Sequence, residues 1–264
     1  MSNFHVIAGA DARPVFPTVR KIGLRDLKGA LAAGIDDFKT MPSHIVFIGM
    51  IYPIVGIVIT RMAMGADTLP LLFPLAAGFA LVGPFAAIGL YEMSRRREQG
   101  LDLSWWHAFD VLHSPSIGAI AGLAILLTLI FIGWIGSAQA LYQTLFGLAP
   151  PESISEFAHV VLTTSAGWKL IIWGNIIGFL FAVWVLTIGV VSFPLLLDRD
   201  VGAAVAITTS VKAVLKNPVI MAIWGLIVAT LLLLGSLPFF FGLAIVMPVL
   251  GHATWHLYRR TVDR

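Results

Sequence analysis

Seven histidines are the residues of this sequence best suited to chemistry inside a membrane, because imidazole ligates metal ions and haem iron. His252 and His256 are four residues apart, and helical histidines at this spacing can chelate a metal. The predicted topology puts His44, His107 and His113 at the same cytoplasmic depth. These five are the candidate metal or haem ligands. The competing interpretation, which we favour, is that they lie at the interface, where ring and polar tip are both satisfied.

Other chemistry is poorly represented. The sequence has no Cys, which excludes disulfides, thiolate metal sites and Cys nucleophiles. It has no phosphate-binding loop, no nucleophile-elbow motif and no pair of carboxylates within a predicted span. Charged residues at mid-depth, which ion-coupled carriers normally need, are nearly absent. We therefore expect no catalytic residues, no resident cofactor and no nucleic-acid binding.

The composition is that of a polytopic membrane protein. The chain has 264 residues, is 58% hydrophobic and 12% charged, and has a mean hydropathy of +0.92. Such a chain has too little polar surface to cover a soluble globule. Long uninterrupted apolar runs indicate helices, since a β-barrel would show short alternating segments.

Six transmembrane helices are predicted, because a span needs about 20 apolar residues. The predicted spans are His44–Thr60, Leu69–Tyr91, Ile117–Gly136, Trp168–Phe193, Val219–Gly235 and Leu237–His256. Of the 17 Lys and Arg residues, only Arg61 and Lys169 fall on the side opposite the termini. The positive-inside rule therefore places both termini in the cytoplasm of a bacterial cell, with the chain in its inner membrane.

The spans form a threefold internal repeat. Each copy is an amphipathic stretch, then a proline, then a hairpin of two spans with a second proline in the returning one. The entry prolines are Pro42, Pro115 and Pro218, and the returning ones are Pro84, Pro194 and Pro248. The predicted fold is therefore all-α, with three parallel-repeat hairpins, each preceded by an amphipathic interfacial helix.

Two segments lie outside this repeat. Residues 1–22 are predicted to be a cytoplasmic arm, and residues 23–264 the membrane domain. The second hairpin carries an outer insertion, residues 138–166, with a possible capping box at Ser153 and Glu156 for a short helix. Its length exceeds what a reversal of the chain needs, so it is a candidate contact for a partner.

Three surfaces are candidate binding surfaces. The motif Gly174-x-x-x-Gly178 contains Asn175 and permits close helix contact, either within the hairpin or with another subunit. The insertion adds Phe157, Val160 and Val161 to the candidate partner interface. Arg95, Arg96 and Arg97 are expected to contact anionic lipid headgroups.

The sequence resembles a bacterial family of predicted integral membrane proteins of unknown function. The resemblance covers about residues 20–262 and depends on the segments DDFKTMP, AFDVLHSP, AVLKNP, GPFAAIGLYEMSRRRE, FPLLLDRDVGAAVA and LGHATWHLYRR. Members are common in α-proteobacteria, and some are labelled putative cytochrome c oxidase subunits. The resemblance implies association with respiratory machinery and assigns no functional residue.

The function most consistent with these features is that of a non-catalytic accessory or assembly subunit of a larger inner-membrane complex, of respiratory type. A transporter or channel for a neutral or lipid-like solute is the first alternative. A haem- or metal-binding membrane protein is the second.

Overall fold

The computed structural model describes residues 16–41, 70–71, 74, 87–149, 151, 153–237 and 241–263. These residues are helical, apart from connecting segments and one isolated bridge between Val19 and Val262. The helices are α1 (Leu24–Thr40), α2 (Ile88–Glu98), a 3-10 helix (Trp105–His113), α3 (Ile117–Phe146), α4 (Ile154–Thr163), α5 (Ser165–Gly189), α6 (Ser192–Asp198), α7 (Ala203–Lys216), α8 (Pro218–Ser236) and α9 (Leu243–Thr261).

Within the described residues, three segments are long and apolar enough to cross a membrane: Ile117–Phe146, Ser165–Asp198 and Pro218–Ser236. They coincide with the third, fourth and fifth predicted spans. The first predicted span and most of the second lie outside the described residues. The sixth corresponds to α9, which is not among the three and which begins at Leu243 rather than Leu237. The structure is consistent with a polytopic membrane protein.

The described residues fall into two compact units. One contains α1, α2, the 3-10 helix, α3 up to Ile125, and the chain from Leu186 onward. The other contains Leu126–Val185, which is the rest of α3, α4 and most of α5. Each unit has its own buried aromatic residues, including Trp224 and Trp255 in the first and Trp134 in the second.

In the first unit, α1 packs along α9. The buried side of α1 carries Leu27, Ala30, Gly34 and Asp37, which recur at the helical period. The closest approach is at Gly34, where a Cβ atom would lie 2.5 Å from the backbone nitrogen of Ala253. Asp37 is acidic but only 2% exposed, because α9 covers it.

The three amphipathic stretches predicted ahead of a span all form helices that end two residues before a proline. α1 ends at Thr40, the 3-10 helix at His113 and α7 at Lys216, ahead of Pro42, Pro115 and Pro218. A proline disfavours the helical conformation in the residue before it, which explains the shared position of the helix ends.

The N-terminal arm pairs with the C-terminal end of the chain. The Arg20 amide donates to the Thr261 carbonyl over 2.8 Å, and the Asp263 amide donates to the Thr18 carbonyl over 3.0 Å. Asn217, just before α8, secures the same segment: its side-chain oxygen accepts from the Ile22 amide at 2.9 Å, and its Nδ2 donates to the Arg20 carbonyl at 2.9 Å.

In the second unit, α3 and α5 pack together. The ring of Trp134 occupies the space beside Gly178, where a Cβ atom would come within 2.7 Å of it, and its Nε1 donates to the Pro74 carbonyl. The insertion 138–166 was predicted to be helical, and its first nine residues are the last turns of α3. The short helix predicted after Ser153 is confirmed as α4, and Ser153 Oγ accepts from the Glu156 amide.

Candidate functional site

A buried carboxylate, Asp37, is the centre of a polar cluster in the first unit. Its Oδ1 accepts from Arg97 at 2.5 Å, and its Oδ2 accepts from Ser94 at 2.5 Å. His256 Nε2 lies 2.8 Å from Oδ2. A single side chain from α1 is thus bound by groups from α2 and α9. We call Asp37, Ser94, Arg97, His252 and His256 the Asp37 cluster.

The two histidines of α9 face this carboxylate together, as their spacing predicts. His252 is fully buried, and its Nδ1 lies 2.8 Å from Ser94 Oγ. Ser94 Oγ therefore lies between Asp37 and His252 and contacts both. His256 also lies 3.8 Å from Glu98 through its Nδ1 atom. The cluster therefore orders two imidazoles, a hydroxyl and a guanidinium around one negative charge.

The environment of Asp37 determines its protonation. Burial by itself raises the pKa of this carboxyl group, because it disfavours the charged form. Hydrogen bonds from His256, Ser94 and Arg97 stabilise the carboxylate and outweigh burial, so the pKa is lowered from its ordinary value. Asp37 is therefore ionised near neutral pH. The hydrogen bond to Asp37 in turn raises the pKa of Arg97.

The three consecutive arginines at the end of α2 all pair with acidic side chains of this chain. Arg95 lies 2.8 Å from Glu92, Arg96 lies 3.1 Å from Asp110, and Arg97 contacts both Asp36 and Asp37. They were predicted to contact anionic lipid headgroups. In the structure each of the three guanidinium groups forms an ion pair within the chain. Contact of these arginines with lipid stays a prediction.

A Schellman motif ends α2 and sets the direction of these arginines. Gly100 has a φ of 66°, a conformation that favours glycine. The Gly100 amide donates to the Arg97 carbonyl, and the Leu101 amide donates to the Arg96 carbonyl. The turn also brings the Asp102 carbonyl to Arg96 Nε at 2.9 Å.

A second carboxylate, Asp198 at the end of α6, extends the network to the C-terminal turn of α9. Tyr258 donates to Asp198 at 2.6 Å, and Arg259 donates to it at 3.2 Å. Arg259 also pairs with Glu98 at 3.0 Å. Together with the Asp37 cluster, these contacts join α1, α2, α6 and α9.

The remaining candidate histidines are dispersed. His107 lies between Asp102, at 2.9 Å, and Asp110, at 2.7 Å. His113 is exposed at the end of the 3-10 helix, and His44 lies outside the described residues. Within the described part of the chain, no three His, Asp or Glu side chains are grouped so that they could hold a metal ion.

The candidate partner residues of the second unit divide between internal and exposed positions. Gly174 and Gly178 face Leu141 and Trp134 of α3, so this motif serves packing within the hairpin. Phe157 is half-buried, with its ring 6.2 Å from that of Tyr142. Val160 and Val161 are half-buried as well. Asn175 is exposed, and its Nδ2 donates to the Ile171 carbonyl of its own helix at 2.8 Å.

Sequence reasoning missed Asp37 and Ser94. The signal for Asp37 was present, because position 37 continues the series 27, 30 and 34 on the buried side of α1. Ser94 offered no signal, since a serine between Met93 and the arginines has nothing in its neighbourhood to mark it as buried.

Comparison with known proteins agrees with the membrane assignment. Residues 72–198, just under half of the chain, match a family model described as "Predicted integral membrane protein (DUF2189)". No curated protein and no solved structure matches the chain. The chain is thus a predicted integral membrane protein similar to a family without an assigned activity.

Proposed function

We propose that this protein is a non-catalytic subunit, accessory or assembly factor of a larger inner-membrane complex, of respiratory type, and a member of the family that its middle part matches. The observation that carries the proposal is the exposure of Asn175 on α5, within a candidate span. The side-chain amide has two N–H donors and an acceptor oxygen. Only one contact, to the Ile171 carbonyl, is made within the helix.

An amide facing hydrocarbon costs free energy, whereas an amide facing another helix can form a hydrogen bond. The neighbours of Asn175 at helical spacing are Ile172, Ile176, Phe179 and Val183, all large, apolar and 42–66% exposed. We call these five residues the Asn175 face. A helix of another subunit would cover the apolar residues and satisfy the amide at the same time. Lipid covers apolar residues equally well, so the amide is what favours a protein partner.

The topology of the proposal is six spans with both termini in the cytoplasm. Two charged side chains can form an ion pair only if the hydrocarbon core does not separate them. Segments joined by ion pairs therefore lie on one side of the membrane. The network connects the end of α1, the end of α2, the end of α6 and the end of α9. This connection supports the proposed arrangement, in which three hairpins separate consecutive members of this set by two spans each. The excess of Lys and Arg in these segments supports their cytoplasmic placement.

The proposal is tested by purification in mild detergent with identification of co-purifying chains. Asn175→Leu keeps the number and branching of the side-chain heavy atoms and removes the polar ones, and we expect it to reduce partner yield at least tenfold while leaving protein level unchanged. Leu180→Ala, at a 60% exposed position on another face of α5, is the matched control and should retain the partner. Full partner yield with Asn175→Leu would contradict the proposal.

The topology is tested separately by reporter fusions. Fusions after residues 97, 204 and 264 should report cytoplasm, and fusions near residues 65 and 155 should report periplasm. A periplasmic signal at residue 264 would overturn the six-span arrangement without bearing on the Asn175 face.

A further inference from the structure

A cavity of about 260 Å³ lies beside the arginines of α2, distinct from the Asp37 cluster. It is lined by three segments of the first unit: part of α2, residues 110–116 and residues 196–200. Four carboxylates and two guanidiniums line it, which gives it an excess of negative charge while keeping both signs present. The charged lining residues are Glu92, Arg95, Asp110, Asp198, Arg199 and Asp200.

The position of the cavity follows from the candidate spans. Ser116 immediately precedes the span that begins at Ile117, and Asp198 is the last residue of the span that begins at Ser165. The cavity is therefore lined by the end of one membrane segment and the start of another. This is the depth of the membrane–water interface, where phospholipid headgroups lie.

Two lining residues have buried polar atoms that lack a hydrogen bond. Among the described residues, three buried side-chain polar atoms have no hydrogen-bond partner, and two of them are Glu92 Oε2 and Arg95 Nε. Glu92 is 1% exposed, and its Oε2 is in ionic contact with Arg95 but accepts no hydrogen bond. The other acids are better satisfied, since Asp198 accepts from Tyr258 and Asp200 accepts from Ser116.

Glu92 and Arg95 form an ion pair, but Glu92 Oε2 and Arg95 Nε make no hydrogen bond, so the cavity suits a ligand that both donates and accepts. A buried polar atom without a hydrogen bond is unfavourable, and a ligand that bonds to both atoms removes that penalty. A primary ammonium group has three N–H donors for a carboxylate, and a phosphate accepts hydrogen bonds from a guanidinium. Both groups occur together in the headgroup of phosphatidylethanolamine.

We propose that this cavity binds the headgroup of phosphatidylethanolamine, with the ammonium group at Glu92 and the phosphate at Arg95 and Arg199. The acyl chains then extend along the apolar surface of the adjoining spans. Phosphatidylcholine has the same charges, but its quaternary ammonium has no N–H donor and is larger. Recognition by hydrogen bonding therefore distinguishes the two lipids, whereas recognition by charge alone would not.

The experiment uses the full-length protein, delipidated in detergent, and measures bound lipid by native mass spectrometry and thermal stability as lipid is added. We expect the half-saturating concentration of phosphatidylethanolamine to be at least tenfold below that of phosphatidylcholine. Glu92→Gln removes the negative charge at constant volume and should abolish this preference. Asp102→Asn, at a carboxylate that is 70% exposed and outside the cavity, is the control and should retain it.

If the Glu92→Gln variant does not fold, Asp200→Asn tests the same site. Asp200 is exposed, its Ser116 contact survives as an amide acceptor, and the loss of charge should reduce the preference several-fold. Equal binding of the two lipids by the unaltered protein would overturn the proposal. Equally tight binding of glycerophosphoethanolamine, which has the headgroup without acyl chains, would overturn the lipid assignment and leave a site for a soluble amine. A preference unchanged in the cavity variants would place the lipid elsewhere.

Discussion

Replacing Asp37 by Ala should destabilise the protein more than any substitution of an exposed acid. The carboxylate accepts hydrogen bonds from Arg97 and Ser94 at 2.5 Å and lies 2.8 Å from His256. Removing one partner of a buried ion pair typically costs about 3–5 kcal/mol, because it leaves the other charge uncompensated. All three donors would lose their acceptor at once.

The structure places the cost at the lower end of that range. Arg97 keeps Asp36 at 2.8 Å and is 30% exposed, so water and a second carboxylate compensate it. Ser94 keeps His252, and His256 keeps Glu98 at 3.8 Å. We therefore expect a loss of about 3 kcal/mol, which corresponds to a decrease of about 10 °C in Tm for a chain of this size.

The neighbouring residue provides the control. Asp36 also pairs with Arg97, but its side chain is 65% exposed, and exposed ion pairs contribute about 0–1 kcal/mol. Thermal unfolding of the detergent-solubilised protein, followed by circular dichroism, compares Asp37→Ala with Asp36→Ala. Asp37→Asn, which retains one acceptor, should fall between them. Indistinguishable Tm values for Asp36→Ala and Asp37→Ala would refute the role assigned to the buried carboxylate.

Three further predictions follow from the same unit. Gly34→Ala should lower the free energy of unfolding by about 1–3 kcal/mol, because the added Cβ atom forces α1 away from the Ala253 backbone. Gly23→Ala, whose Cβ atom meets nothing within 4 Å, is the control and should lower Tm little. Equal Tm values for the two variants would contradict the close packing. Asn217→Ala removes both side-chain hydrogen bonds to the arm, so it should lower the free energy of unfolding by about 1–3 kcal/mol and speed proteolysis of residues 16–22. Unchanged cleavage would show that other contacts hold the arm. Since the pKa of Asp37 is lowered in the folded state, its contribution is present above the unfolded pKa of about 3.9 and is lost as the pH falls through the lower folded pKa. The Tm difference between the unaltered protein and Asp37→Asn should thus be constant above about pH 5 and shrink below about pH 4, and a difference independent of pH would be incompatible with an ionised Asp37.

The helices were predicted well wherever a local pattern defines them. The amphipathic stretch predicted ahead of the first span is α1, Leu24–Thr40, and the capping residue Ser153 precedes α4. The third predicted span ends at Gly136, whereas the helix α3 continues for ten more residues to Phe146. Hydropathy marks where a chain leaves the membrane, but a helix continues for as long as its residues favour it, and Ala, Leu and Gln follow Gly136.

The partners in the polar network could not be predicted from the sequence. Asp37 and Arg97 are 60 residues apart, and Asp37 and His256 are 219 apart, so only tertiary packing brings them together. The spacing of His252 and His256 correctly predicted a shared orientation, but it gave no sign of the carboxylate that faces them. A pattern within one helix defines a direction and leaves the group opposite it undetermined.

The distribution of polar contacts in the structure bears on where a partner would bind. The acidic and basic side chains near the C-terminal ends of α1, α2, α6 and α9 are mostly paired with one another. A charged partner would have to compete with these ion pairs. Such competition gains little, because each new ion pair replaces an old one. Asn175 is in the opposite situation, since its amide has unused hydrogen-bonding capacity and an apolar surround. For this reason the proposed partner is one that contacts the protein within the bilayer, and loss of that partner on Asn175→Leu, with the ion-pair network intact, is the outcome that distinguishes this arrangement from docking at the charged surface.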